Sequence, residues 1–402
     1  MKISKLAAAI TLAAPLAVAS TITQAEDAFL IAPEMGKINL DARLRYEDVD
    51  DNSALKDSDA LTLRVRLGYL TPDFNGFKAY AELESTTPLG SRDYIDGRGH
   101  GSDSPIIDPD NNELNRAWIS YSGFDNTLVK LGRQRIILDN ARFVGNVGWR
   151  QNEQTYDAFT VVNTSLPDTQ IILSYVNDVK HITGTHFEAD VPVFNVKYSG
   201  LPYGDLTAYG YFVDVAESGA TDRDTLGLRF NGSTKLSEDL AVLYTAEYAQ
   251  QDIDRVGIKS EDSDYYLVEA GVKFAGITAK ISREVQEGHK GQIDTSFKTP
   301  LGTNHAFNGW ADQFLGTPND GLEDTFLTLS TKVSGVKLMA VYHEFDAQDS
   351  GIDYGSELDL LAVKKFGKNY KVLVKYAAYN QGSSTSLKDD KDKLWIQGEV
   401  SF

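Results

Sequence analysis

Cysteine is absent from the 402 residues, which excludes disulfide bridges, thiolate zinc sites and thiol catalysis. Basic residues are in deficit: 39 Lys plus Arg stand against 58 Asp plus Glu, a formal charge of -19. That balance excludes nucleic acid as a partner, because capture of phosphate needs a basic footprint. Histidine is sparse, at positions 100, 181, 186, 289, 305 and 343, without HExxH spacing. Neither a GxSxG elbow nor a phosphate-binding loop occurs, so no metal, no cofactor and no enzymatic activity is expected. Beyond the N-terminal segment there is no apolar run of about eighteen residues, the length that a membrane-spanning helix needs. Hydrophobic residues still make up 42% and aromatics 10%, too much for a disordered chain.

At the N-terminus, Lys2 and Lys5 precede an apolar stretch from Leu6 to Ala19, and Thr23-Gln24-Ala25 places small residues where a signal peptidase reads. Residues 1–25 are expected to be a signal peptide and 26–402 a single mature domain. The apolar core is short and interrupted by Pro15, which disfavours a membrane anchor.

From Gly36 onward, apolar and polar residues alternate at period two. Ile38, Leu40, Ala42, Leu44 and Tyr46 share one face, opposite Asn39, Asp41, Arg43, Arg45 and Glu47. Leu61, Leu63, Val65, Leu67 and Tyr69 repeat the pattern, as do Leu240 to Tyr248, Val372 to Ala378 and Leu394 to Phe402. Eighteen such segments are expected, centred near residues 42, 65, 81, 117, 130, 158, 172, 195, 209, 228, 244, 268, 281, 328, 341, 360, 374 and 397. A soluble sandwich alternates too, but its connections are not sorted by length. Here short turns such as Thr71 to Gly76, Ala275-Gly276 and Ser334-Gly335 alternate with longer acidic loops such as Thr87 to Asn111, Ile136 to Asn152 and Glu287 to Asp320. That sorting predicts an all-β fold: a transmembrane antiparallel barrel of the bacterial outer membrane, with short periplasmic turns and long extracellular loops. Tyr46, Tyr69, Tyr121, Tyr175, Tyr198, Tyr248, Phe274, Tyr342, Phe366 and Tyr376 fall near strand ends on the apolar face, where interfacial girdles belong.

A barrel of this size leaves an aqueous interior, so a pore for small hydrophilic, anionic or sugar-like solutes is the expected function. Two alternatives stand beside it: a polysaccharide export conduit, and an outer-membrane hydrolase built from loop residues such as His181, His186 or His305. Alternation points Arg43, Arg45, Arg64, Arg66, Arg116 and Arg229 inward, with Glu82, Glu84, Glu247, Glu269, Lys273 and Lys280. Either these arginines form a wall that meets solute through forked donors, or they pair across strands and keep the lumen hydrated. Much of the acid falls in stretches read as loops, Asp48 to Asp59, Asp103 to Glu113, Asp214 to Asp224, Glu261 to Asp264 and Asp389 to Asp392. Its field is screened within about 8 Å at physiological salt. Asp108 to Glu113, DPDNNE, lacks the glycine and distant glutamate of a calcium loop and reads as a solvated acidic turn.

The stretch from Gly132 to Phe159, GRQRIILDNARFVGNVGWRQNEQTYDAF, holds Arg133, Arg135, Arg142 and Arg150 among glycines, amides and Trp149. Such a loop either bends into the pore or stays outside and meets lipopolysaccharide phosphates. Together with LGTNHAFNGWADQFLGTPNDGLEDTFLTL, Leu301 to Leu329, it resembles the signature stretches of the alginate-export family of outer-membrane barrels and related porins. The resemblance implies an eighteen-stranded barrel with an arginine-lined channel, and makes Arg133, Arg135, Arg142 and Arg150 lumen residues. The chain is shorter than expected of a dedicated alginate exporter and its lumen carries more glutamate, so a general or solute-specific porin is favoured. Expected partners are outer-membrane lipid and lipopolysaccharide, a small hydrophilic solute, and the barrel-assembly machinery, whose signal the last strand ending in Phe402 resembles.

Overall fold

The computed structural model describes residues 35–215, 221–255, 261–383 and 388–402; the expected signal peptide lies outside them. Eighteen strands occur among the described residues: β1 (Lys37–Asp51), β2 (Ser58–Leu70), β3 (Phe77–Pro88), β4 (Asn111–Phe124), β5 (Thr127–Gln134), β6 (Thr155–Asn163), β7 (Thr169–Lys180), β8 (His186–Leu201) and β9 (Gly204–Val215) form the first half. The second half holds β10 (Thr221–Lys235), β11 (Leu240–Arg255), β12 (Glu261–Phe274), β13 (Ile277–Gln286), β14 (Leu322–Val333), β15 (Val336–Asp346), β16 (Asp353–Phe366), β17 (Tyr370–Gln381) and β18 (Lys391–Ser401). Each of the eighteen expected centres falls inside one of them. Neighbours in sequence pair antiparallel, and β1 closes on β18 from Asp41 opposite Ser401 to Asp51 opposite Lys391. A closed sheet has no free edge and satisfies its backbone internally, which is what a lipid-embedded sheet requires.

The faces are inverted relative to a soluble protein. Outward positions carry exposed Leu67, Leu83, Leu131, Leu228, Val268, Ile281 and Leu327, whereas inward positions bury Arg43, Arg64, Glu82, Thr160, Thr207 and Glu247. The exposed ring of apolar side chains is the lipid-facing band of an integral outer-membrane barrel. Tyr175, Tyr248, Tyr266 and Tyr342 are exposed toward the long-loop end, and Tyr69, Tyr198, Phe274 and Tyr370 toward the short-turn end, the two interfacial levels.

Turn chemistry fixes the short end. Ala275-Gly276 and Ser334-Gly335 have positive φ at both residues (47° and 82°, 49° and 81°), the mirror-image turn whose twist matches a two-residue hairpin. At the other end the strands run further than expected. Asp48 to Asp51 belong to β1, Asp224 to β10, and Asp262 and Asp264 to β12, so much of the acid assigned to loops lies on strand ends. There like charges face one another directly, Asp224 opposite Asp252 and Asp252 opposite Asp262, an arrangement tolerable only where water screens it.

The packed core sits inside the barrel. Ile136, Leu138, Phe143 and Val144 of the β5–β6 loop pack with Phe297 and Leu301 of the β13–β14 loop on Tyr156, Val191, Tyr209 and Tyr265 of the wall. A second cluster joins Ala311 and Phe314 to Phe345, Tyr354, Tyr379 and Trp395. The long loops therefore fold inward and use the wall as their core surface.

Candidate functional site

Two loops, residues 135–154 and 287–321, meet inside the barrel and span it. They meet in an isolated parallel bridge at Val144 and Leu301. The Gly145 N–H donates to the Leu301 carbonyl at 2.9 Å and the Thr303 N–H to the Ala141 carbonyl at 2.9 Å. Tyr156 Oη closes the joint by donating to the Gly145 carbonyl at 2.7 Å. A third loop, residues 89–110, backs the first: Asp108 Oδ1 accepts the Gln151 N–H at 2.8 Å.

Against β1 and β2 the first loop presents carbonyl oxygens to arginines. Arg43 Nη1 donates to the carbonyls of Gly148, Trp149 and Arg150 at 3.0–3.2 Å. Arg45 donates to the Trp149 carbonyl and to Gln397 Oε1, with its guanidinium 4.3 Å from the Trp149 ring centroid. Arg64 and Arg66 both reach the Gln151 carbonyl at 3.4 Å. Each arginine also has a carboxylate: Glu399 for Arg43, Asp108 for Arg45, Asp41 for Arg64, and Glu84 with Glu153 for Arg66. The guanidinium fork explains the residue type, since its several donors serve carbonyl and carboxylate together.

The stretch of wall from β13 to β16 has the opposite sign. Glu284 on β13, Asp324 on β14, His343 on β15, and Glu357 and Asp359 on β16 are all buried. Against them the second loop presents N–H groups: Trp310 donates to Asp359 at 3.2 Å and Ala311 to Glu357 at 2.7 Å. Gly309 makes this approach possible, because it has φ of +84° and a Cβ there would stand 2.4 Å from Glu357 Oε2. The loops are thus clamped between walls of complementary charge, carbonyls toward the cations and amides toward the anions.

Arg142 and Arg150 are buried anchors of the first loop. Arg142 bonds Glu284 at 2.7 Å and Asn308 Oδ1 at 2.9 Å. Arg150 bonds Glu47 at 3.0 Å and Asp312 at 3.1 Å. Arg135 binds Glu153, with Glu82 at 4.0 Å. At Glu153, burial alone would raise the carboxyl, but Arg66 and Arg135 outweigh it and hold it well below the usual range. Arg116 pairs with Glu82, helped by a bulge in β4 that turns Asn115 and Arg116 both toward that carboxylate. Arg229 pairs with Glu247 lower in the lumen.

Arg133 stands apart. It shares a strand face with exposed Leu131, and its partner Asp157, at 2.8 Å, shares one with exposed Phe159. The lumen position carried over by resemblance does not hold for this residue: period two within β5 sends it to the outer wall. The acidic turn also needs correction. Asp108 is fully buried among Arg45, Arg150 and Gln151, and burial pushes its carboxyl up. The fold brings this turn under the loop rather than into water.

Sequence reading missed the acidic wall, although Glu357 and Asp359 alternate on β16 as the arginines do on β2. It names His305 only among the histidines on which a loop-built hydrolase could draw. The ring is buried between Asp312, 2.5 Å from Nδ1, and Lys375, 2.7 Å from Nε2. Burial pushes it down to about 3 despite Asp312, so the neutral ring donates from Nδ1 and accepts at Nε2.

The profile of the Alginate export family matches residues 34–350. No curated protein matches the sequence. Among solved structures, OpdK of Pseudomonas aeruginosa, crystallised with vanillate, superposes with a TM-score of 0.70 at 12% identity, covering 91% of this chain and 98% of its own. OccAB3 of Acinetobacter baumannii gives 0.69 at 13% identity over 91% and 98%, and OccAB2 of the same organism 0.69 at 14% over 92% and 99%. At these identities the likeness is one of fold, and it confirms the eighteen-stranded outer-membrane barrel. Matched by the family profile over most of its length, the chain belongs to the alginate export family.

Proposed function

We propose that the chain is an outer-membrane channel for passive diffusion of small hydrophilic solutes, narrowed by its two clamped loops. The observation that carries the reading is the inverted barrel: charged and hydroxyl side chains face a closed interior, including Ser120, Thr160, Ser174, Thr207 and Thr245 below the loops. Such a wall has no use in a dry core and suits water and polar solutes. The loops set the size limit, and the transverse field between the β1–β2 and β13–β16 walls orients a dipolar or charged solute.

The solute class we propose is a small organic anion. Arg116 and Arg135 keep part of their guanidinium surface open, with side chains 18% and 29% exposed, and forked donors suit carboxylates. OpdK was crystallised with an aromatic carboxylate, vanillate, which makes vanillate the probe of choice. Steady ohmic conductance in planar bilayers, with concentration-dependent block by vanillate, is the expected result. Silence of the refolded barrel would end the channel reading, and conductance indifferent to vanillate would end the anion reading.

The family match favours a second reading, export of an anionic polysaccharide. Oligouronate added on the short-turn side should then enter and block for times that grow with chain length. Hydrolysis fits less well, because both ring nitrogens of His305 are engaged, by Asp312 and Lys375, leaving neither to shuttle a proton.

A further inference from the structure

Lys375, on the inward face of β17, is 5% exposed. Its Nζ lies 3.8 Å from the ring centroid of Trp310, 4.2 Å from that of Trp149 and 5.3 Å from that of Trp395. It lies 2.7 Å from His305 Nε2. The rings come from three places: Trp149 from the β5–β6 loop, His305 and Trp310 from the β13–β14 loop, and Trp395 from β18. Trp149 stacks on His305 at 4.7 Å and 9°, and Trp395 stands edge-on to Trp149 at 5.5 Å and 80°. The indole N–H groups of Trp149 and Trp395 have no acceptor among the described residues, so their faces, not a hydrogen bond, define their seats. Two carboxylates seat the loop side of the cage: Asp312 lies 2.5 Å from His305 Nδ1, and Asp359 accepts the Trp310 N–H at 3.2 Å.

An ammonium in water uses three N–H donors. Here one meets His305 and aromatic faces replace water around the rest, the chemistry by which proteins recognise alkylammonium ligands. We propose that Trp149, Trp310, Trp395 and His305 form an alkylammonium-binding cage whose resident occupant is Lys375, and that the seated ammonium latches both lumen loops to β17 and β18. The cage follows from geometry alone; only its effect on conductance rests on the channel reading. At this point the two loops and the wall meet around a single charged atom. Removing that atom empties the space that Trp149, Trp310 and Trp395 share, while Arg45 stays 4.3 Å from the Trp149 ring and Lys393 5.3 Å from the Trp395 ring.

Three of the four tryptophans of the chain line the cage, so intrinsic fluorescence of the full chain refolded in detergent reports on it. In Lys375→Ala the emission should shift. Adding n-propylammonium, the severed part of the side chain, should return it saturably, half-complete on the order of millimolar, the affinity that a few cation–π contacts supply. n-Propanol at the same concentration should do nothing, and neither compound should change the wild type. In bilayers the variant should conduct more and with more noise, and n-propylammonium should restore the native level. Native emission in a folded Lys375→Ala barrel, judged by its heat-modifiable gel mobility, overturns the proposal, as does a shift that propanol reverses equally well. If the alanine variant does not fold, Lys375→Met fills the volume without the charge, and native emission in it is equally decisive against the latch. A wild type that is silent in bilayers defeats the channel reading and leaves the fluorescence result to judge the cage.

Discussion

Arg142 and Glu284 meet at 2.7 Å, each side chain 2% exposed, and join the loop between β5 and β6 to the strand β13 across the barrel. Removing one partner of such a buried pair leaves an uncompensated charge and costs about 3–5 kcal/mol. Arg142→Ala and Glu284→Ala should each free the loop and raise single-channel conductance. The double variant should cost less than the two singles added together, and a double-mutant cycle in denaturant titrations measures that coupling.

Arg66 separates wall from clamp. It bonds Glu84, lies 3.6 Å from Glu153 and donates to the Gln151 carbonyl at 3.4 Å. Arg66→Glu sets a third carboxylate beside two others and removes the donor that holds the loop. Reversal potentials should move toward cation preference, and conductance should rise with them because the loop loosens. A changed reversal potential at unchanged conductance would show that the arginine acts on ions directly and does not hold the loop.

Gly309 sits against Glu357, and a methyl group there meets both steric contact and an unfavourable φ of +84°. The backbone term alone is about 1–2 kcal/mol. Gly309→Ala should lift the Trp310 and Ala311 amides from their carboxylates while the barrel stays folded. Limited proteolysis should then cut between residues 304 and 318 in the variant and spare the wild type.

His305 makes the loop seat acid-sensitive. The buried ring is pushed from its ordinary 6.5 to about 3, so between those values the released loop binds a proton that the seated loop refuses. The stabilisation is therefore full above pH 6.5 and declines as pH falls toward 3, by roughly 1.4 kcal/mol per pH unit. Asp312 acts in the same direction, since despite its burial His305 and Lys393 hold its carboxyl well below the usual range. Conductance should climb on acidification across that window, and His305→Gln should flatten the profile.

Val268, midway along β12 and 58% exposed, faces lipid. Val268→Arg should cost about 2–4 kcal/mol in folding into vesicles. Its inward neighbour Glu269, part-exposed and paired with Lys280 at 2.9 Å, should tolerate Gln at less than about 1 kcal/mol. Equal costs at the two positions would contradict the assignment of faces.

The strand period, the sorting of short turns from long loops and the inward direction of Arg43, Arg45, Arg64, Arg66 and Arg116 were legible in the sequence by itself. Side-chain direction in a strand depends only on local alternation, and turn length needs no partner to be read. What the tertiary structure alone decided is where residues far apart in the chain meet: that the arginines hold backbone carbonyls of an inner loop, that Glu357 and Asp359 await the amides of another, and that Lys375 lies within three tryptophans. Arg133 shows the boundary, since a likeness between segments transferred its role but not the strand phase that turns it outward. A loop's resting place depends on charges and surfaces contributed by strands on the far side of a closed sheet, and no local pattern in the loop encodes them.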